Sequence, residues 1–305
     1  MKHPLIAAEF AAMPWALMPE RLNAYAGILA RRESGEPSAM PDVDVENRIS
    51  AWDARKAQAA KQASGGIAVL PLYGTIMQRA NMMSDWSGGT STMQFAQAFR
   101  DAMADNTIGS ILIDIDSPGG SVYGVGELAD EIMAARGKKT IVGYANSLAA
   151  SAAYWVGAAC SELYVTPGGE VGSIGVWMAH QDISKYLENE GVATKLISAG
   201  KFKTEGNPYA PLPDDAHGFM QSRVDDYYAA FTKGVSKGRS VSIGAVRDGM
   251  GQGRVLGADA ALAENMVDGI ETFDAVVKKM QKNMQPSRAG ASRLAKAQND
   301  LKLLG

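Results

Sequence analysis

Between residues 66 and 275, short continuous apolar runs alternate with stretches whose apolar positions recur at helical spacing. The first run, Ile67-Ala68-Val69-Leu70-Pro71-Leu72-Tyr73, lies between Gly66 and Gly74 and has the length of a buried strand. Gly88-Gly89-Thr90-Ser91 then offers an N-cap, and Phe95, Phe99, Ala102 and Met103 follow as one helix face. Ser110–Asp116 predicts the next strand. Val125, Leu128, Ala129, Ile132 and Met133 predict the helix after it, with Gly137 placed to end that helix. Thr140–Ala145 predicts a strand leading into a small-residue helix that begins near Ser151. Further strands are expected at 163–165, 171–176 and 193–198. Further helices are expected at 182–190, from about Asp214 to Lys237, and at 256–264, the last leading to Met266-Val267-Asp268. Repeated β-then-α units of this kind predict an α/β fold.

The flanks read differently. Residues 5–31 predict one or two short helices, broken at Pro14 and Pro19, with Leu17, Leu22, Tyr25, Ala26 and Leu29 as the apolar stripe. From Arg32 the chain turns polar, with Ser34-Gly35-Glu36-Pro37-Ser38 as a linker signature and a charged helix expected at 45–63. After about Lys278 it becomes basic, as a solvated helix or a partner-binding tail. The expected division is an N-terminal helical arm and linker at 1–65, a main domain at 66–278, and a basic tail at 279–305.

Composition narrows the function. The net charge of −3 gives no bulk electrostatic reason to expect nucleic-acid binding. The lone Cys160 excludes an internal disulfide framework and a CxxC metal site. Glu9, Pro14 and Pro19 interrupt the N-terminal apolar run too early for a secretory signal, and no run of about 18 apolar residues predicts a membrane span. A soluble, cytoplasmic protein is expected. There is no HExxH, no GxxxxGK[ST] and no paired His/Cys cluster, so neither metal nor cofactor is expected. Gly124-Val125-Gly126-Glu127-Leu128-Ala129 fits a GxGxxA string. It begins too far beyond its strand, however, and the following strand ends in Asn146 rather than an acid, against a dinucleotide site.

Three stretches could carry chemistry. Ser151 stands between alanine pairs at a strand-to-helix junction, where unpaired backbone N–H groups and small neighbours suit a nucleophile, although capping and close packing use the same residues. Asp116-Ser117-Pro118-Gly119-Gly120-Ser121 follows a strand and could offer N–H donors to an oxyanion, or be a plain turn. A base is needed. His3 lies in the arm, and His217 is expected on an exposed helix face. His180 is a candidate, and Lys201 and Lys203 sit in a Gly-bounded loop. Asp114 and Asp116 could orient a base or serve in turns.

The order and spacing of Ser117–Ser121, Ala149–Tyr154, Gly172–Val176 and Gly200–Lys203, closed by Leu256–Ala260 and Val267-Asp268, resemble the signal peptide peptidase A (protease IV) family over about residues 66–275. Within it the chain looks most like the capsid (head maturation) proteases of lambda-like tailed phages. That likeness rests on Gly172–His180, on Gly206–Asp215, on Pro4-Leu5-Ile6-Ala7 with the proline-broken arm, and on the missing membrane anchor. The resemblance implies a ClpP/crotonase-like fold of repeated ββα units with a helical N-terminal arm and tail, and a serine endopeptidase with a Ser/Lys dyad. It carries the nucleophile onto Ser151, the base onto Lys203, a lysine-orienting hydroxyl onto Ser173, and the oxyanion donors onto Gly120 and Ala152. A Ser151–His180 pair is the alternative. The family's usual Gly-Gly after the nucleophile is Ala152-Ala153 here. Glu205 is expected to point away from Lys203 or to pair elsewhere, as with Lys201, because a carboxylate close by would keep the lysine charged. The implied partners are phage scaffold and major capsid proteins as substrates, copies of the chain in a ring, and the portal, with neither nucleic acid nor membrane. The place of action is the host cytoplasm, inside the assembling procapsid. The scaffolding region that follows the protease in some relatives is expected to be absent or a short remnant. A cellular peptidase and a non-catalytic scaffold are the other readings.

Overall fold

The computed structural model describes residues 12–19, 66–79 and 89–284. Its strands are β1 (Trp15–Leu17), β2 (Ile67–Tyr73), β3 (Ile76–Met77), β4 (Thr90–Ser91), β5 (Ser110–Ser117), β6 (Gly119–Ser121), β7 (Thr140–Ala150), β8 (Glu162–Val165), β9 (Glu170–Gly172), β10 (Val255–Gly257) and β11 (Gly269–Ile270). Its helices are α1 (Thr92–Ala104), α2 (Val125–Ala135), α3 (Ala152–Ala158), α4 (Ser184–Asn189), α5 (Asp214–Arg239), α6 (Ile243–Asp248), α7 (Ala258–Ala263) and α8 (Phe273–Met284). The chain is therefore a mixed α/β protein with a largely parallel main sheet.

That sheet runs β10-β9-β7-β5-β2, with β8 joining β7 to β11. The long strand β7 organises it. One edge pairs in parallel with β5; the other pairs first with β8 at Val142–Ala145 and then with β9 at Leu148–Ala150. Strand alternation divides the side chains between two faces. Ile111, Ile113, Ile115, Ile141 and Ala145 point into the main core, under α2, α3 and α5. Leu112, Val142, Tyr144 and Tyr164 point to the other face, which Val276, Val277 and Met280 of α8 cover. Helix α8 thus runs through residue 278 and buries Met280.

Helix α3 carries the junction of interest and is packed unusually tightly. Its residues from Ala152 to Ala158 are all buried. Trp155 stacks on Phe231 of α5, with ring centroids 4.7 Å apart. Gly126 of α2 faces Trp155, where an added Cβ would sit 3.3 Å from the indole, so that glycine is explained by packing. The carbonyls at the end of α3 are collected by Arg136. Its Nε donates to Ala159 (2.9 Å), and its Nη2 donates to Ala158 (2.9 Å), to Cys160 and to Gly238 of α5 (3.0 Å).

Three expectations need correction. Residues 193–198 form no strand: they have strand-like composition but no partner edge among the described residues, and Ile197 is 93% exposed. The expected strand at 171–176 stops at Gly172, because Gly172 (φ 125°) and Ser173 (φ 54°) leave the extended region. Within the N-terminal arm, residues 15–17 are a strand rather than a helix. Pro14 and Pro19 leave too few residues between them to close helical hydrogen bonds, and the segment pairs with β6 instead. The expected linker and charged helix at 32–63, His3, and the tail after Met284 lie outside the described residues.

Candidate active site

Strand β7 ends at Ala150 and α3 begins at Ala152, so Ser151 alone makes the corner, at φ 55° and ψ −118°. A side chain in this conformation is strained by about 1–3 kcal/mol and persists only where its surroundings hold it. They do: Ser151 N–H donates to the Gly172 carbonyl (2.6 Å), and its carbonyl accepts from Trp155 N–H (3.0 Å). Ala149, Ala150, Ala152 and Ala153 are fully buried, so their small size is a packing requirement.

Two neighbours complete the corner. The Ala150↔Gly172 register of β7 and β9 sets Ser173 beside Ser151 at the end of the parallel pair. Ser173 is only 8% exposed, and its N–H donates to the Arg254 carbonyl (2.8 Å). On the other side lies the Ser117–Ser121 turn. Ser117 Oγ donates to the Gly74 carbonyl and accepts from Gly119 N–H (3.2 Å). A Cβ at Gly119 (φ 98°) would meet Ser151 Cβ at 2.9 Å, and one at Gly120 would meet the Ile76 carbonyl oxygen at 1.9 Å. Only glycine lets this backbone approach the serine so closely.

Ser173, Ala152 and the turn that carries Gly119 and Gly120 thus lie around Ser151, whereas the two candidate bases are not joined to it. Lys203 sits in the exposed turn after Gly200, its own N–H on the Gly200 carbonyl (3.1 Å). Among the described residues no hydrogen bond joins its ammonium to Ser151 or Ser173. Lys201 lies over the Phe202 ring at 4.6 Å, and among the described residues Glu205 has no ion pair with it. His180 Nε2 donates to the Asn207 carbonyl (2.9 Å) and lines a small cavity of about 120 Å³ with His217, Met220 and Val224. Asp114 is buried and accepts from the Tyr73 hydroxyl, which gives it a partner within the sheet. No group of three or more His, Cys, Asp or Glu among the described residues could hold a metal ion, and none of the described helices is long and apolar enough to cross a membrane.

Two contributors escaped the sequence reading. Arg254, just before β10, supplies the carbonyl that holds Ser173, and the turn Gly251-Gln252-Gly253 was the available signal. Trp15–Leu17, between two prolines, lies directly against β6.

The mixed α/β fold thus sets Ser151, strained at a strand-to-helix corner, against the backbone of Gly119. The chain belongs to peptidase family S49, which its residues 133–286 match. It is 35% identical over 240 residues to capsid assembly protease C of Escherichia phage lambda, covering 77% of this chain and 54% of the relative. It is 30% identical over 293 residues to head-tail preconnector protein GP5 of Enterobacteria phage P21, covering 92% of this chain and 58% of the relative. Protease 4 of Haemophilus influenzae is 28% identical over 218 residues, which are 70% of this chain and 34% of that protein. The chain thus spans about half the length of the phage relatives it matches.

Proposed function

We propose that this chain is a serine endopeptidase that uses Ser151 as nucleophile and Lys203 as base and processes scaffold and coat proteins during phage head assembly. The observation that carries the reading is the strained corner at Ser151, with Gly119 packed against it. Neutral Lys203 takes the Ser151 Oγ proton as the oxygen attacks a peptide carbonyl, and the N–H groups of Gly120 and Ala152 receive the developing oxyanion. The lysine then returns its proton to the leaving amine, and water hydrolyses the acyl-enzyme. Ser173 holds the lysine amine in line. The fold assigned is ClpP/crotonase-like.

The base comes from a neighbouring copy in a ring. Lys203 lies on an exposed segment that also presents Val192, Leu196, Ile197 and Phe202, apolar side chains that a subunit contact would cover. The two phage relatives named for capsid assembly and for the head-tail preconnector support the substrates, a setting near the portal, and action inside the procapsid in the host cytoplasm. His180 is the alternative base; its Nε2 donates to the Asn207 carbonyl, and among the described residues no hydrogen bond joins the ring to Ser151.

Co-expression with the coat and scaffold proteins tests the reading. Ser151→Ala and Lys203→Ala are expected to abolish the fragments and His180→Ala to leave them. Fragments that survive Lys203→Ala but not His180→Ala would replace the dyad. An unchanged pattern with Ser151→Ala would leave a scaffold or another cellular role in place of proteolysis.

A further inference from the structure

A nucleophile must meet its substrate, yet Ser151 is 1% exposed. The segment lying across it is β1. Strand β1 pairs antiparallel with β6 in the register Trp15↔Ser121, Ala16↔Gly120 and Leu17↔Gly119. Its other edge is held by Trp177, through Trp15 N–H to the Trp177 carbonyl (2.9 Å), Trp177 N–H to the Trp15 carbonyl (3.0 Å), and the indole N–H to the Leu17 carbonyl (2.9 Å). Met18 N–H on the Pro118 carbonyl (3.2 Å) extends the pairing by one residue. A Cβ built on Gly119 would lie 2.2 Å from the Ala16 carbonyl oxygen and 2.9 Å from Ser151 Cβ, so β1 and the serine both close on the same glycine. Trp15 and Leu17 are buried beside Met77 and Trp177, with the small, fully buried Ala16 between them.

This is how an extended peptide binds by strand addition: main-chain bonds on both edges, alternate side chains in pockets, and a carbonyl at the nucleophile. We infer that the gap between β6 and Trp177 is the groove for an extended apolar–small–apolar peptide, and that residues 14–18 of the chain occupy it and block the site until they are displaced. The inference rests on Ser151 as nucleophile and adds the occupant. The edges that β6 and Trp177 turn toward this groove are filled by β1, so an incoming peptide has to exchange with it.

Access to position 151 can be read without catalysis. In Ser151→Cys the new thiol is expected to react with iodoacetamide at least tenfold more slowly than in Ser151→Cys/Leu17→Ala, where β1 has lost an anchor. Cys160 stays silent, since it is buried and burial pushes its thiol up to about 12. Equal rates in the two folded proteins would overturn the inference. A second variant, Trp15→Cys/Ser121→Cys with Ser151 intact, joins register partners whose spacing suits a disulfide. Its oxidised form is expected to leave fluorescein-labelled casein uncut, and its reduced form to cut it faster than the parent chain. Cutting by the oxidised form at the parent rate would also overturn the inference. The two readings fail separately. Co-expressed coat and scaffold proteins left intact by every form, with the thiol still shielded by β1, remove the peptidase and keep the groove. Cutting with an unshielded thiol does the reverse.

Discussion

Helix α5 carries two glycines for which the same substitution should have opposite consequences. Alanine in a helix interior is normally favoured over glycine by about 1 kcal/mol. At Gly218 nothing lies within 4 Å of an added Cβ, so Gly218→Ala should gain about that amount. At Gly238 the added Cβ would lie 2.1 Å from the Ala158 carbonyl oxygen and 2.8 Å from its carbon. These are backbone atoms of the last turn of α3, and Arg136 pins that turn and Gly238 with one guanidinium. Neither side can swing away, so α5 must back off by roughly 1 Å, an overpacking cost of about 1–3 kcal/mol. Weakening the Arg136 bond to Gly238 adds about 1 kcal/mol. Set against the helix-propensity gain, Gly238→Ala should destabilise by about 2 kcal/mol. Urea unfolding followed by tryptophan fluorescence suits the test, because Trp155 lies at this contact. The midpoint should fall for Gly238→Ala and rise for Gly218→Ala at an unchanged slope. A Gly238→Ala chain as stable as the parent would refute the close approach of α5 to the end of α3.

Ser151→Gly and Ser151→Ala should both be inactive, but the glycine variant should be more stable by about 1–2 kcal/mol, because only it relieves the strain at φ 55°. Equal unfolding midpoints would count against a strained corner. Arg239 is nearly buried and bonds both carboxylate oxygens of Asp268 (2.7 and 2.9 Å), while Asp268 also accepts from Leu163 N–H (2.7 Å). Burial pushes the Asp268 carboxyl up, but these hydrogen bonds outweigh it and hold the group below its ordinary value. Its stabilisation is therefore present above the unfolded pKa of about 3.9 and lost as pH falls through the lower folded pKa. Asp268→Asn should cost about 1–2 kcal/mol at neutral pH, with the side chain's partial exposure discounted, and the gap should close in acid. A gap independent of pH would exclude the ion pair as its cause. Ile197→Glu should lower the oligomer mass in sedimentation without shifting the unfolding midpoint, since Ile197 makes little use of its own chain; an unchanged mass would remove this segment from the ring contact.

The hydrophobic pattern by itself determined the main sheet and its helices. Apolar runs such as Ile67–Tyr73 and Ser110–Asp116 have no lower-energy course than a buried strand, and the Phe95–Phe99–Ala102 stripe suits only a helix packed on one side. The sequence also placed Ser151 at a strand-to-helix junction, where the structure has it. What the sequence could not supply was pairing between distant segments. The stretch at 193–198 has the composition of a strand, but strand formation depends on a partner edge, which composition does not encode. Trp15–Leu17 looked like part of a helical stripe, and only the tertiary structure gave it β6 and Trp177 as partners. The conformations of Ser151 and Ser173 were likewise invisible in the chain, because a positive φ at serine is imposed by the Gly172 and Arg254 carbonyls that receive their N–H groups. Local preference wrote the elements; long-range hydrogen bonding and close packing decided the corner at Ser151.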